Sequence, residues 1–380
     1  MSSHLSPERV AFAEAIQAFA RRECGTREQR RRLVGDGVAA HSPEMIAKLV
    51  ELGWVGVAFP EEYGGGGGDI IDACILLEEL AYGQVPVFGL GISMIVAHTV
   101  MNHGTDEQKE RIIGGFCRGE VSAVAMSEPD TGSDVGSLQC RAERTADGYV
   151  INGQKTWISC AHYADRILLV CRTSREERKH HGITMLEVPI DTPGVEIRPI
   201  DTLGGQEINE VFFDHALVSH DRLIGEEGAA WRQLMGGLNF ERLVCAAIFL
   251  GNGRRAFRDA LEYVSQREQF GQPIGQFQVI KHRIADLATE LECAELLVYE
   301  TAWKVAENPG DQFPRQASMA KLKATEVAKR VSIEGMQMLG AAGYTKEYDM
   351  ESHLRSNIIS TVFAGTSEIQ REIIAKEYAL

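Results

Sequence analysis

The sequence predicts an α+β multidomain fold with an N-terminal helical domain over 1–120, a middle β-domain over 121–230 and a C-terminal four-helix bundle over 231–380. Three observations predict it. A chain of 380 residues exceeds what one core ordinarily organises, which points to two or three domains. Apolar residues recur at helical spacing up to residue 120 and again after Trp231, whereas from Val121 to about Val218 they alternate in short runs. Beyond Trp231 the helical stretches are long and their connections short, which describes an antiparallel bundle.

Taken in order, Ser6-Pro7 is a helix cap followed by proline at the first helical position, and Phe12, Ile16 and Phe19 give that helix its apolar stripe. Ser42-Pro43 repeats the signal ahead of Met45, Leu49 and Leu52, with Gly53 placed to end the helix. Gly64 to Gly68 precede a helix capped by Asp69, but no GK[ST] follows and no buried strand frames a dinucleotide fold, so the run is expected to be a flexible turn rather than a phosphate loop. A further apolar helix is expected over Phe88 to Met101, and Thr105 to Gln108 form a capping box. Strands are expected around Leu138 to Arg144, Ile167 to Cys171, Ile183 to Val188 and Val211 to Phe213, with Asn152-Gly153 as a hairpin turn. The bundle helices are expected near 232–266, 276–307, 315–341 and 367–378, punctuated by Asn308-Pro309-Gly310 and Gly340 to Gly343.

Composition narrows the functional classes. Hydrophobic residues at 44% and charged residues at 24% are ordinary for a globular protein, and no run of eighteen apolar residues suggests a membrane span. The first twenty residues carry Glu8, Glu14 and a helical pattern instead of a secretory signal, so a cytoplasmic location is expected. A formal charge of −15 argues against a nucleic-acid surface. Eight scattered cysteines without CxxC or Cys/His spacing argue against zinc, disulfide scaffolds or any other metal centre.

Glu241 is the residue that asks for an explanation. At helical spacing it shares a face with Leu238, Cys245 and Ile248, and the positions three and four away are Gly237, Leu238, Val244 and Cys245, so no local cation answers it. A carboxylate in apolar surroundings has a raised pKa, as a general base requires, although most helical glutamates are solvated surface residues. Four other stretches mix functional groups. Met126-Ser127-Glu128-Pro129-Asp130-Thr131-Gly132-Ser133-Asp134 enters a turn with hydroxyls and backbone amides. Asn152 to Ser159 puts Trp157 and Ser159 two residues apart, on one face of a strand, where a planar ring could stack or a core tryptophan could sit. Arg267 to Gln278 couples an arginine with Phe270, Phe277 and amides, a mixture that suits a pyrophosphate and a heterocycle as well as an ordinary loop. Phe363 to Gln370 ends in a helix start with a Ser367/Gln370 capping box.

Together, in this order and spacing, these motifs resemble the acyl-CoA dehydrogenase family from end to end. Leu238-Asn239-Phe240-Glu241-Arg242-Leu243-Val244, with Ala364-Gly365-Thr366-Ser367-Glu368, looks most like its isovaleryl-CoA dehydrogenase type. The resemblance implies the acyl-CoA dehydrogenase fold, with FAD lying between β-domain and bundle. It places Met126 and Ser127 at the flavin pyrimidine, Trp157 packed nearby and Ser159 donating to N5; both serines keep the hydroxyl of the threonine that many relatives carry. Arg267, Phe270, Phe277 and Gln278 match positions that hold the pyrophosphate and adenine from a neighbouring subunit. Gln337, Gly340 and Ala341 match another segment of that shared site, and Thr366 and Glu368 match contacts after the terminal loop. A homotetramer follows from the family habit.

On the substrate side the resemblance assigns Ser133, Asn239 and Arg242 to the pantetheine and the active-site wall, with Ala364 and Gly365 beside the thioester carbonyl. Many members carry the catalytic glutamate at the position occupied here by Ala364; the isovaleryl type carries it on the bundle helix, at Glu241. The implied reaction is α,β-dehydrogenation of an acyl-CoA, with electrons passed to an electron-transfer flavoprotein. Phe88, Ile92 and Ile95 suggest a short or branched acyl chain. Three alternatives stay open: oxidation of an acyl group on an acyl carrier protein in secondary metabolism, a flavin monooxygenase-like member, and a non-catalytic partner subunit in a mixed oligomer.

Overall fold

The computed structural model describes residues 5–35, 40–308 and 310–379; at 235 and 236 only the backbone is described. Pro309, one of the expected punctuation residues, lies outside the described residues. The helices are α1 (Pro7–Cys24), α2 (Arg27–Val34), α3 (Pro43–Glu51), α4 (Ile70–Tyr82), α5 (Phe88–His103), α6 (Asp106–Cys117), α7 (Ala230–Gln266), α8 (Gln278–Glu307), α9 (Pro314–Leu339), α10 (Met350–Ile358) and α11 (Ser367–Lys376). The strands are β1 (Ser122–Ala125), β2 (Arg141–Arg144), β3 (Tyr149–Ser159), β4 (Arg166–Arg172), β5 (Ile183–Pro189), β6 (Val195–Thr202), β7 (Gly205–Val218), β8 (Leu223–Ile224), β9 (Glu268–Gln269) and β10 (Gln272–Pro273). N-terminal helices, a middle β-sheet domain and a C-terminal helical domain follow one another along the chain.

The described residues fall into two compact units, one from Met1–Val38, Gly68–Pro86 and Glu241–Leu380, the other from Ala39–Gly67 and Val87–Phe240. The first is helical. Ser6 caps α1, its hydroxyl accepting from the Arg9 amide at 3.4 Å, and Asp69 caps α4 in a capping box with Asp72. In this unit α4 packs on α1 and α8, and α9 packs on α8, α10 and α11. Small residues let backbones close up: a Cβ on Gly251 of α7 would lie 2.1 Å from the Glu78 carbonyl oxygen on α4. By length and composition α7 passes for a membrane span, yet 75% of its most apolar window is buried within the protein, which makes it a core helix.

The second unit is built on an eight-stranded sheet of order β6-β7-β3-β2-β4-β5-β8, with β1 added in parallel to β4 from Ser122 opposite Arg166. Apolar clusters flank the sheet. Ile151, Ile167 and Val211 belong to one cluster, onto which Phe88 and Ile92 of α5 pack; Leu168, Val170 and Met185 join Val96 and Val100 of α5 in the other. Strand β4 therefore feeds both clusters and reads as a continuous apolar run instead of an alternating one.

Two expected turns differ in the structure. Asn152-Gly153 lies inside β3, at a register shift against β7, and the chain reverses instead through Thr145 to Gly148, where the Thr145 amide bonds the Gly148 carbonyl at 2.8 Å. Gly153 is needed for close approach: at φ +144 its Cβ would meet Cys140 of the neighbouring chain segment at 2.8 Å. The run Gly64 to Gly67 is a tied turn, not a flexible one. Its four amides bond the carbonyls of Glu61, Pro60, Gly56 and Phe59, which leaves none of them for a phosphate.

Candidate active site

In the helical unit the candidate site is built from α7, α9 and the segment leading into α11. Glu241 is half-buried and makes no hydrogen bond or ion pair among the described residues. The protein around it raises the carboxyl pKa by desolvation, while Arg242 and Lys321 pull it back down. The expectation that no local cation answers Glu241 holds for the positions three and four away but not for Arg242, the next residue, and it misses Lys321, which arrives from α9, eighty residues along the chain. Arg242 is buried, and burial lowers its pKa while Glu241 opposes that shift. Beside them burial pushes the Cys245 thiol up to about 12, so it stays protonated near neutrality.

The loop before α11 is held from two sides. Lys321 is fully buried, and its Nζ donates to the carbonyls of Ser360 (3.1 Å), Phe363 (3.0 Å) and Gly365 (2.9 Å). Gln370 Nε2 donates to the carbonyls of Ala364 (3.1 Å) and Gly365 (3.0 Å). The cap of α11 is Thr366, whose hydroxyl accepts from the Ile369 amide at 3.2 Å; Ser367 does not cap, and Gln370 reaches back to the loop instead of completing a box. Ala364 and Gly365 both take positive φ, +52 and +77, and the Ala364 N–H has no partner among the described residues. A side chain at Gly365 would strike Gln370 Nε2 at 2.6 Å, so the loop requires glycine there.

Thr366 and Glu368 line an open cleft of about 470 Å³ together with Lys329, Arg330, Ile333 and Val362. Elsewhere in this unit Phe270 and Gly271 occupy the two-residue turn between β9 and β10, both at positive φ, a primed turn that throws Phe270 outward to 94% exposure. Phe277 meets it edge-on at 6.0 Å. Arg267 and Gln278 are exposed, as are Gln337, Gly340 and Ala341 at the end of α9.

In the sheet unit the expected ring-stacking residues sit on a bulge. The β3–β7 register shifts between Lys155 and Ile158, Trp157 takes φ +62, and its indole is 62% exposed. The alternative of a core tryptophan is thereby excluded. Ser127 and Ser159 are half-buried, with hydroxyls that make no hydrogen bond among the described residues. Ser133 is exposed, and Asn239 is buried on α7 next to Phe240, whose ring stacks on His98 at 4.0 Å. Met126 is fixed by its carbonyl, which accepts from Lys155 Nζ at 2.9 Å, and the Ser127 carbonyl accepts from the Thr156 amide at 3.0 Å.

Three groups near the site are not evident from the sequence. Lys155 and Glu128 stand inside two of the mixed motifs, but a lysine in a strand and a glutamate in a turn look solvated. Lys321 left a readable trace: it shares the buried stripe of Ala317, Ala324 and Ala328 at helical spacing. The His98–Phe240 stack joins residues distant in sequence and left none.

The chain matches the family models described as acyl-CoA dehydrogenase N-terminal domain over 6–120, middle domain over 123–216 and C-terminal domain over 228–379. It is 34% identical to a probable acyl-CoA dehydrogenase of Bacillus subtilis (strain 168), covering 99% of both chains. It is 37% identical to a mitochondrial isovaleryl-CoA dehydrogenase of Oryza sativa subsp. japonica, covering 85% of this chain and 80% of the relative. Among solved structures it is similar to butyryl-CoA dehydrogenase from Megasphaera elsdenii, with TM-score 0.90, 30% identity and 100% of both chains covered. The chain thus belongs to the acyl-CoA dehydrogenase family, FAD-dependent flavoproteins that act as oxidoreductases on CH–CH bonds.

Proposed function

We propose that this protein dehydrogenates a short or branched acyl-CoA at its α,β-bond with Glu241 as the base. The observation that carries the reading is the pairing of two positions in the helical unit. Glu241 presents a carboxylate of raised pKa with no hydrogen-bond partner among the described residues, while the terminal loop carries alanine at 364, which has no group to take a proton. A base of this kind removes the α-proton of a thioester once the α-carbon is made acidic. The Ala364 N–H suits the thioester carbonyl, where a donor stabilises developing negative charge, and Gly365 keeps that peptide in its left-handed conformation. Arg242, Asn239 and Ser133 are proposed to line the thioester.

The residues present fit FAD. Trp157 and Phe270 offer uncovered aromatic faces, Ser127 and Ser159 unengaged hydroxyls, Arg267 an exposed guanidinium, and the cleft beside Thr366 and Glu368 carries Lys329 and Arg330 for an anionic group. The bound flavin supplies the hydride acceptor for the β-carbon. We assign Met126, Ser127, Trp157, Ser159, Arg267, Phe270, Phe277, Gln278, Gln337, Gly340, Ala341, Thr366 and Glu368 to holding it. The exposure of Arg267, Phe270, Gln278, Gln337, Gly340 and Ala341 in a single chain favours completion of that site by a second copy in a homotetramer. Electrons then leave to an electron-transfer flavoprotein, and the protein works in the cytoplasm, organised as domains 1–120, 121–230 and 231–380.

The test is Glu241→Gln in the flavin-loaded protein. The variant is expected to keep its yellow colour and its thioester binding and to lose bleaching by acyl-CoA under anaerobic conditions; normal bleaching would refute the assignment. Turnover of an acyl series addresses the substrate, with a preference for long straight chains counting against a short or branched one. Comparing one acyl group on CoA and on a carrier protein separates the thioester carriers.

A further inference from the structure

We propose that Lys321 is a positioning residue for this reaction, its buried ammonium fixing the loop that carries Ala364 and placing a positive charge near Glu241. The inference rests on the reading of Glu241 as the base.

Three observations carry it. Lys321 is fully buried on a helix face whose nearest buried neighbours are the small residues Ala317, Ser318, Ala324, Thr325 and Ala328, a place where an uncompensated ammonium is strongly disfavoured. An ammonium has three donors, and here each finds a backbone carbonyl, those of Ser360, Phe363 and Gly365. Lys321 makes no ion pair among the described residues, and the carboxylates of Glu241 and Glu326 act on it without a direct contact. A purely structural role would be met by a neutral donor or by apolar packing. Instead the site keeps a cation whose three anchors bracket Ala364, the one residue between Phe363 and Gly365, while Gln370 takes the Ala364 carbonyl itself. The peptide is thereby locked at φ +52, a conformation an unrestrained alanine avoids.

The same ammonium acts on the base. Burial alone raises the Glu241 pKa; Lys321 and Arg242 each lower it, which keeps the carboxylate ionised closer to neutrality. Burial lowers the Lys321 pKa, Cys245 and Glu241 of α7 and Glu326 of α9 oppose that shift, and Arg242 of α7 adds to it; Lys321 also acts on Glu368 at the start of α11. Cys245 is protonated and Arg242 permanently charged, so Glu241 is the group of α7 whose ionisation Lys321 tunes.

The experiment compares Lys321→Met and Lys321→Gln with the parent flavoprotein, and runs Glu241→Gln beside them. Two readouts are taken: the pH profile of acyl-CoA-driven flavin bleaching, and amide hydrogen exchange over 360–366. Lys321→Met is expected to slow bleaching by roughly 10²-fold, the scale of a small misplacement of reacting groups, to move the acidic limb to higher pH and to speed exchange in the loop. Lys321→Gln, which restores two donors without charge, is expected to recover loop protection in part while leaving the limb displaced. An unmoved acidic limb in folded, flavin-loaded Lys321→Gln overturns the proposal and leaves Glu241 as the base. Should Glu241→Gln bleach normally, the base assignment falls, and loop exchange alone decides Lys321: unchanged exchange in Lys321→Met overturns it.

Discussion

Lys155 Nζ lies 2.7 Å from a carboxylate oxygen of Glu128, and both side chains are buried. The pair ties the bulged end of β3 to the turn after β1. Glu128 also accepts from the amides of Gln139 and Cys140, at 2.6 and 2.8 Å, and Lys155 reaches the Met126 carbonyl. One ion pair thus sets the positions of Met126, Ser127 and Trp157.

Breaking that pair from either side is expected to destabilise the fold and to loosen the flavin. Removing one partner leaves the other charge buried and unpaired, which costs about 3–5 kcal/mol. Lys155→Met and Glu128→Gln should each lower the denaturation midpoint and the flavin-to-protein ratio after gel filtration. The double variant should lose less than the sum of the two, because neither charge is then stranded. Additive losses would show that the two residues do not act as a unit.

A second buried carboxylate sets a pH dependence. Glu78 is 1% exposed, and burial pushes its pKa up to about 7 against the pull of Arg254, with Glu79 and Glu295 adding to the rise; Tyr299 donates to it at 2.6 Å. The folded pKa lies above the unfolded carboxylate value, so between the two the folded state holds more proton. Its stability therefore falls as pH rises through that window. Measured against Glu78→Gln, the melting temperature of the parent protein should drop as pH goes from about 4.5 to about 7 and change little above it. A parallel course of the two curves would refute the assignment.

Helices α1, α3, α4 and α6 were legible in the sequence because their caps are local, whereas α2 and α10 were not expected. Ser6, Ser42, Asp69 and Thr105 all accept from the first turn as their side chains require. The sheet was legible in outline only. Its alternation showed that strands were present, but Asn152-Gly153 serves a close approach to Cys140 rather than a turn, and that need lies in another segment. The candidate site divides in the same way. Glu241 stands out within a short window and Ala364 only through the family resemblance, whereas Lys321, Lys155 and the His98–Phe240 stack act across distances that no window contains. Buried lysines are the hardest to read, since sequence reports the charge and only the fold reports the carbonyls that receive it.

Flavin retention and folding separate at the turn between β9 and β10. Phe270 is 94% exposed on a two-residue turn, so replacing it removes almost no buried surface. Phe270→Ser should leave the melting temperature of flavin-free protein unchanged. If its ring packs against the adenine end of FAD, the variant should still lose flavin during gel filtration, because an aromatic face covering a heterocycle contributes contact area that serine cannot supply. Arg267→Gln should give the same separation through charge, with flavin loss that grows as salt screens the remaining cations. Should a second copy complete the site, dilution of the parent protein should release flavin in step with dissociation of the oligomer, measured by light scattering. Full flavin retention by Phe270→Ser and Arg267→Gln together would remove the turn between β9 and β10 from the cofactor site.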